Sequence, residues 1–375
     1  MWSSLNVGRA ASAAAAALLL SACSGSATAP PAPASAPPAT VAAKPAASAD
    51  AKPAASAVAS AAPKLAIKSA YTTTSATSAP FWMAKETGAF EAEGLDVTLT
   101  RATAGSPILA AIESGDVPVS SAGGQEVVDS EVKGSSLVIV GGFGDKLTTS
   151  IMTVPSITKP EDLKGKALGV TSFGVVSHLA GLLAIDKLGL TGQVTFVATG
   201  GLPETIAAIQ SGKVQGGVLS PPQTFEAQKQ GLHQLYDLST GDARLATAIV
   251  STSRRYAAEH PEVVEHFLRA IIRAVHRAYV DKPGTVAALA KYGGISDPDV
   301  ASQTYDYFAN GALWGKDGMP SMDALQQNLY FAAAENVEGA GAFKPQQLVD
   351  TSFVQKIQAS GLVENLYGRP LPLTL

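Results

Sequence analysis

Side chains able to do covalent or metal chemistry are few in this chain. Its 375 residues include five His and a single Cys, Cys23, so neither a zinc cluster nor a disulfide framework can be assembled. His260 and His266 stand six apart and fall on different faces of a helix. No G-x-S-x-G, Walker A, H-E-x-x-H or G-x-G-x-x-G motif occurs. The expectation is a protein that is not an enzyme and uses no cofactor or metal. What is plentiful is uncharged hydrogen-bonding capacity, gathered in six Ser/Thr/Gly-rich segments: Thr72 to Pro80, Thr103 to Pro107, Ser120 to Gln125, Thr171 to His178, Thr199 to Pro203 and Leu219 to Gln223. None of the six contains Lys or Arg. Their hydroxyls, Thr74, Ser75, Ser78, Ser121, Thr171, Ser172 and Ser220 among them, can donate and accept. Gly105, Gly123, Gly124, Gly174 and Gly200 let backbone amides come close to a bound molecule. Phe81 and Phe173 offer rings that either stack on a ligand or pack in the core. Gln125 and Gln223 are candidate orienting groups. His178 is the one candidate cation, though a side chain inside a helix can equally satisfy a neighbouring backbone group. Glu126, Glu204 and Glu226 follow three of these segments and read as helix caps.

The elements that must position these segments alternate. Leu65 to Tyr71, Leu95 to Arg101 and Val117 to Ser121 read as strands, with helices over Pro80 to Phe90 and Pro107 to Ser114 between them. That is the order of a parallel α/β layer. An internal repeat extends it. Ala110-Ala111-Ile112-Glu113-Ser114-Gly115-Asp116-Val117 returns 97 residues later as Ala207-Ala208-Ile209-Gln210-Ser211-Gly212-Lys213-Val214. Two lobes of one topology follow, the first over 64–153 and 248–375 and the second over 154–247. Two extended crossings, near Thr148 to Val154 and Ala246 to Ser251, would join them as a two-strand hinge. Pro261 to Val280 is an amphipathic helix with Val264, Phe267, Leu268, Ile271, Ile272 and Val275 on one side. It and the helices after it are expected to pack on the first lobe. In open α/β layers ligands bind beyond the carboxyl ends of the strands, at helix N-termini, which is where the six segments fall.

The N-terminal sixty residues have a different character. Positions 24 to 63 hold 18 Ala, 8 Pro and 6 Ser, including AKPAASA twice, and have almost nothing to bury. Before them, Arg9 precedes an apolar run from Ala10 to Leu20, too short to span a bilayer, ending Leu20-Ser21-Ala22-Cys23. This resembles a bacterial lipoprotein signal. The resemblance implies that Cys23 is lipidated, that 1–23 is the signal and that 24–63 is a disordered tether in the cell envelope. From residue 64 on, 24 Lys and Arg stand against 30 Asp and Glu with no basic run, which argues against nucleic-acid binding.

Ala79-Pro80-Phe81-Trp82-Met83-Ala84-Lys85-Glu86-Thr87-Gly88-Ala89-Phe90, followed by Glu93-Gly94-Leu95-Asp96-Val97 and Ala111-Ile112-Glu113-Ser114-Gly115-Asp116, resembles the solute-binding lipoproteins of ABC importers for sulfonates, nitrate and taurine. Asp162-Leu163-Lys164-Gly165-Lys166 and His260-Pro261-Glu262-Val263-Val264 continue it. The resemblance implies the type II periplasmic-binding-protein-like fold, closure of two lobes on a small organic solute, a membrane permease as partner and a monomeric state. With no cation in the six segments, the expected solute is neutral or monoanionic. Two other classes remain open: a same-fold protein, some of them enzymes, of pyrimidine or menaquinone metabolism, and a receptor feeding a sensor.

Overall fold

The computed structural model describes residues 64–102 and 105–368. The leader, Cys23 and the Ala/Pro/Ser stretch lie outside the described residues. The chain begins with β1 (Leu65–Tyr71), α1 (Ala79–Glu86), α2 (Ala89–Ala92), β2 (Leu95–Arg101), α3 (Gly105–Ser114), β3 (Val119–Ala122), α4 (Gly124–Val132) and β4 (Leu137–Lys146). It continues through β5 (Ser150–Thr153), β6 (Ala167–Val170), α5 (Val176–Lys187), β7 (Thr195–Ala198), α6 (Leu202–Gln210), β8 (Gly216–Leu219), α7 (Gln223–Lys229), β9 (His233–Asp237) and β10 (Arg244–Ser253). The rest is helical: α8 (Arg254–Glu259), α9 (Pro261–Val280), α10 (Lys282–Gly293), α11 (Pro298–Asn310), α12 (Met322–Ala334), α13 (Ser352–Ala359) and α14 (Leu362–Tyr367). The single helix expected over Pro80 to Phe90 is two. Gly88 takes φ +69°, a left-handed conformation that stops α1 and starts α2 at a new angle.

Strand pairing shows why the repeat matters. The second half forms one sheet in the order β7-β6-β8-β5-β9. In the first half β1 pairs with β2, and β10 lies between β3 and β4. The two groups are joined at β1 and β3 by Ser120, whose hydroxyl takes the Ala70 N–H and donates to the Ala70 carbonyl at 2.9 Å. Across that bridge the order is β2-β1-β3-β10-β4, the same as the second half. In each, the strand arriving from the other half takes fourth place and runs antiparallel to both neighbours. The layers are therefore mixed rather than purely parallel. Strand pairing also places the crossings at 147–149 and 241–243. Ser150–Thr153 pairs inside the second sheet, and β10 meets β4 from Arg244.

The core of the first half is built around α9, whose Val264, Phe267, Leu268, Ile271, Ile272 and Val275 are all buried. Each such side chain contributes about 1.5 to 3 kcal/mol on leaving water. α9 packs on α1, α2 and α13, and Arg269 and Arg273 both reach Glu93, at 3.0 and 2.8 Å. Trp314 is buried and donates Nε1–H to the Ala76 carbonyl, fixing the turn that enters α1. The later helices do not stay on the first half alone. Phe331 of α12 joins the apolar cluster of the second half, and Tyr307 of α11 meets Phe225 of α7 edge to face.

Candidate functional site

The six segments converge on one cavity of about 740 Å³ between the two sheets. The first half contributes Thr72 to Ser75, Thr77 and Gly123, and the second contributes Thr171 to Ser177, Gly200 to Pro203 and Ser220. Thr148 and Thr149, at one crossing, and Thr247, in β10, also line it. Contacts across the cleft hold the halves together. Ala76 N–H donates to the Pro221 carbonyl at 3.3 Å, and Ser75 Oγ donates to the same oxygen at 3.4 Å. Outside the cavity Lys229 Nζ lies 2.5 Å from Asp297.

Two hydroxyls of the wall stand out energetically. Thr149 Oγ1 and Thr247 Oγ1 are buried and have no hydrogen-bond partner among the described residues. An unsatisfied buried hydroxyl costs about 1 to 3 kcal/mol; Thr149 sits on the first crossing and Thr247 in β10, four residues after the second. Ser172 is exposed on the opposite wall. Thr171 is already engaged, its hydroxyl 2.8 Å from that of Ser177.

The six segments hold no Lys or Arg, but they are not the whole wall, so His178 is not its one candidate cation. Arg101, Lys133, Glu113, Glu126 and Asp129 all line the cavity. Glu126 follows the N-cap Gly123 by three residues, but no side-chain capping bond forms at this helix start. Its carboxylate lies so close to Gly105 and Gly123 that a methyl on either would collide with it. Burial, reinforced by the charge of Asp129, holds the Glu126 carboxyl above the usual carboxylate range. Burial also raises Asp129, against the lowering effect of its bond from Gln125.

Of the expected site residues, Thr74, Ser75, Gly105, Gly123, Thr171, Ser172, Phe173, Gly174, Gly200 and Ser220 are on the wall. The others are not. Phe81 is wholly buried against Phe143 in the core. Ser78 precedes α1 as a buried N-cap, and Ser121 is buried in β3 opposite Val250. Gly124 is needed for packing, since any side chain there would strike the Ala246 carbonyl. Gln125 is spent on structure: it donates to Asp129 at 2.7 Å and to the Asn328 carbonyl at 3.2 Å, and accepts from Asn328 Nδ2 at 3.0 Å. Gln223 is buried at the start of α7. His178 Nδ1 accepts the Gly174 N–H at 3.2 Å and lies 3.5 Å from Glu335. A ring nitrogen that accepts a backbone N–H cannot donate to the carboxylate as well, so the histidine braces its own loop. Phe173 is 58% exposed and stands edge-on to His178.

The missed residues had a legible signal. Glu126, Asp129, Ser130 and Lys133 fall at helical spacing along one face of α4, and Ser106, Leu109, Ala110 and Glu113 along α3. The cavity runs up these two helix faces, beyond the loops that precede them.

Two mixed α/β layers of matching strand order, joined by two crossings and enclosing a polar cavity, define a two-lobed binding fold. The chain belongs to the NMT1/THI5-like family, whose model matches residues 75–284. No curated protein shows significant sequence similarity to it. Among solved structures it is similar to the alkanesulfonate-binding protein SsuA of Xanthomonas axonopodis pv. citri bound to MOPS, with TM-score 0.64, 19% identity, and coverage of 78% of this chain and 100% of that one. It is also similar to the periplasmic nitrate-binding protein NrtA of Synechocystis PCC 6803, with TM-score 0.65, 10% identity, and coverage of 79% and 89%. SsuA of Escherichia coli gives TM-score 0.61 at 19% identity over 76% of this chain and 92% of that one. At these identities the likeness is one of fold.

Proposed function

We propose that this chain is the extracytoplasmic solute-binding component of an ABC importer and closes two lobes on a small organic molecule. The observation that carries the reading is the inter-lobe cavity, walled by Ser, Thr and Gly residues from both halves. A solute held between the two walls bonds to hydroxyls and amides of both, so binding and closure reinforce each other. The similar structures named for sulfonate and nitrate binding support the same role. In this reading the two sheets mark the lobes, with the bounds expected at 153 and 247 moved to the crossings at 147–149 and 241–243, Cys23 carries the lipid and the protein works as a monomer beside a permease. Among the described residues no helix is long and apolar enough to cross a membrane. Bond-making chemistry has no part in this mechanism, and docking to the permease would favour the open form and release.

The test is a thermal-shift screen of the full chain against sulfonates including MOPS, nitrate, carboxylates, amino compounds and nucleobases. A true solute at 100 times its dissociation constant adds about 2.7 kcal/mol of stability. A broad library in which nothing shifts the transition contradicts the reading.

A further inference from the structure

The cavity's two ends differ in a way that bears on what fills it. Glu126 and Glu204 occupy the same position, three residues after an N-cap glycine, in α4 and α6. Glu204 is exposed and off the cavity wall, whereas Glu126 lies on it, wedged between the starts of α3 and α4. Among the described residues nothing donates a hydrogen bond to the Glu126 carboxylate. Thus the place where helix N-terminal amides of the first lobe would receive an anion is already filled by a carboxylate of the chain itself. On the far side α5, twelve residues long, has no acidic residue in its first turn. There Ser172 presents its hydroxyl to the cavity.

We propose that Glu126 is a specificity-determining residue that selects a solute carrying an ammonium or similar N–H donor at one end, with its acceptor end directed to α5. This rests on the solute-binding reading above. The other charged groups on the wall fit the assignment. Asp129 and Glu113 add negative charge on the same side, and Arg101 and Lys133 are the two cations on the wall. All five belong to the first lobe, three carboxylates against two cations, so with every group charged that wall is net negative and complements a cationic end better than a simple anion. The raised Glu126 carboxyl agrees with a buried carboxylate that lacks a donor, and a bound cation would favour its charged form.

The experiment compares matched probes by thermal shift and calorimetry at pH 7.5, on the full chain and its Glu126→Gln and Glu204→Gln variants. The pairs are propane-1-sulfonate with 3-aminopropane-1-sulfonate, and benzoate with 4-(aminomethyl)benzoate. In the unaltered protein the amino member of at least one pair binds at least tenfold tighter than its partner. Glu126→Gln abolishes that preference and Glu204→Gln keeps it, with the unliganded melting temperatures of all three confirming that they fold. Equal binding of both members to the unaltered protein, or a preference that survives Glu126→Gln, overturns the assignment of Glu126 and leaves the solute-binding reading standing. If no probe shifts any of the three proteins, the assignment fails, and the broader screen above then decides the solute-binding reading separately.

Discussion

Replacing Thr149 and Thr247 by Val tests whether their hydroxyls serve a ligand or the fold. Valine keeps the β-branched shape and removes only the oxygen, which in each case is buried without a protein partner. Were these hydroxyls structural, the change would break a hydrogen bond and cost about 1 kcal/mol. Here no such bond exists, so the substitution removes a desolvation penalty instead. That penalty spans about 1 to 3 kcal/mol per group, and its lower end gives about 2 kcal/mol for the pair. In a body of this size each kcal/mol moves the transition by about 2 °C, so the unliganded double variant should melt about 4 °C above the parent. Its response to solute should move the other way, with a smaller ligand-induced shift in the same calorimetric scan. A lower melting temperature for the unliganded double variant, or an undiminished ligand response, would refute the reasoning.

Other consequences are separable. Burial, only partly offset by Arg254 at 3.1 Å, raises the Glu131 carboxyl from 4.5 to about 8. The folded state therefore keeps a proton that the unfolded state has lost, and stability present below pH 4.5 drains away as pH climbs toward 8. The full difference corresponds to about 5 kcal/mol, of which roughly half is expected because the Arg254 partner is half exposed. Denaturation of Glu131→Gln should match the parent at pH 4 and exceed it at pH 9, and parallel curves would count against the claim. Ser172→Ala with Ser220→Ala should weaken solute binding by about 1 to 3 kcal/mol, roughly 5- to 150-fold by calorimetry, with full affinity as the contrary result. Cys23→Ala should leave the protein in the aqueous phase of a detergent partition, and unchanged partitioning would remove the lipid anchor.

What the sequence disclosed, and what it withheld, divides along the range of the interactions involved. Local chemistry was legible: Pro80 and Gly88 mark where helices begin and end, the 97-residue repeat predicts two matching layers, and ten of the expected wall residues do meet at one cavity. Long-range partners were not. Nothing near Phe81 announces Phe143, and nothing near Gln125 announces Asn328, so both read as ligand groups while the fold commits them to its core. Glu126 was visible and was given the ordinary role of a helix cap. Only the approach of α3 to α4 shows that its carboxylate closes a cavity. Thr149 precedes β5, and Thr247 falls where the pairing of β10 with β4 is interrupted between Arg244 and Ala248, which no spacing in the sequence reveals.

The most direct test blocks the cavity. Ser172 is exposed on the wall and forms no hydrogen bond among the described residues, so Ser172→Trp should fill the cavity without disturbing the fold. Calorimetric titration of the full chain with the solute that emerges from the screen should give one site per chain in the parent and none in the variant, at unchanged melting temperature. Binding to Ser172→Trp with the parent's affinity would place the site elsewhere and contradict the account.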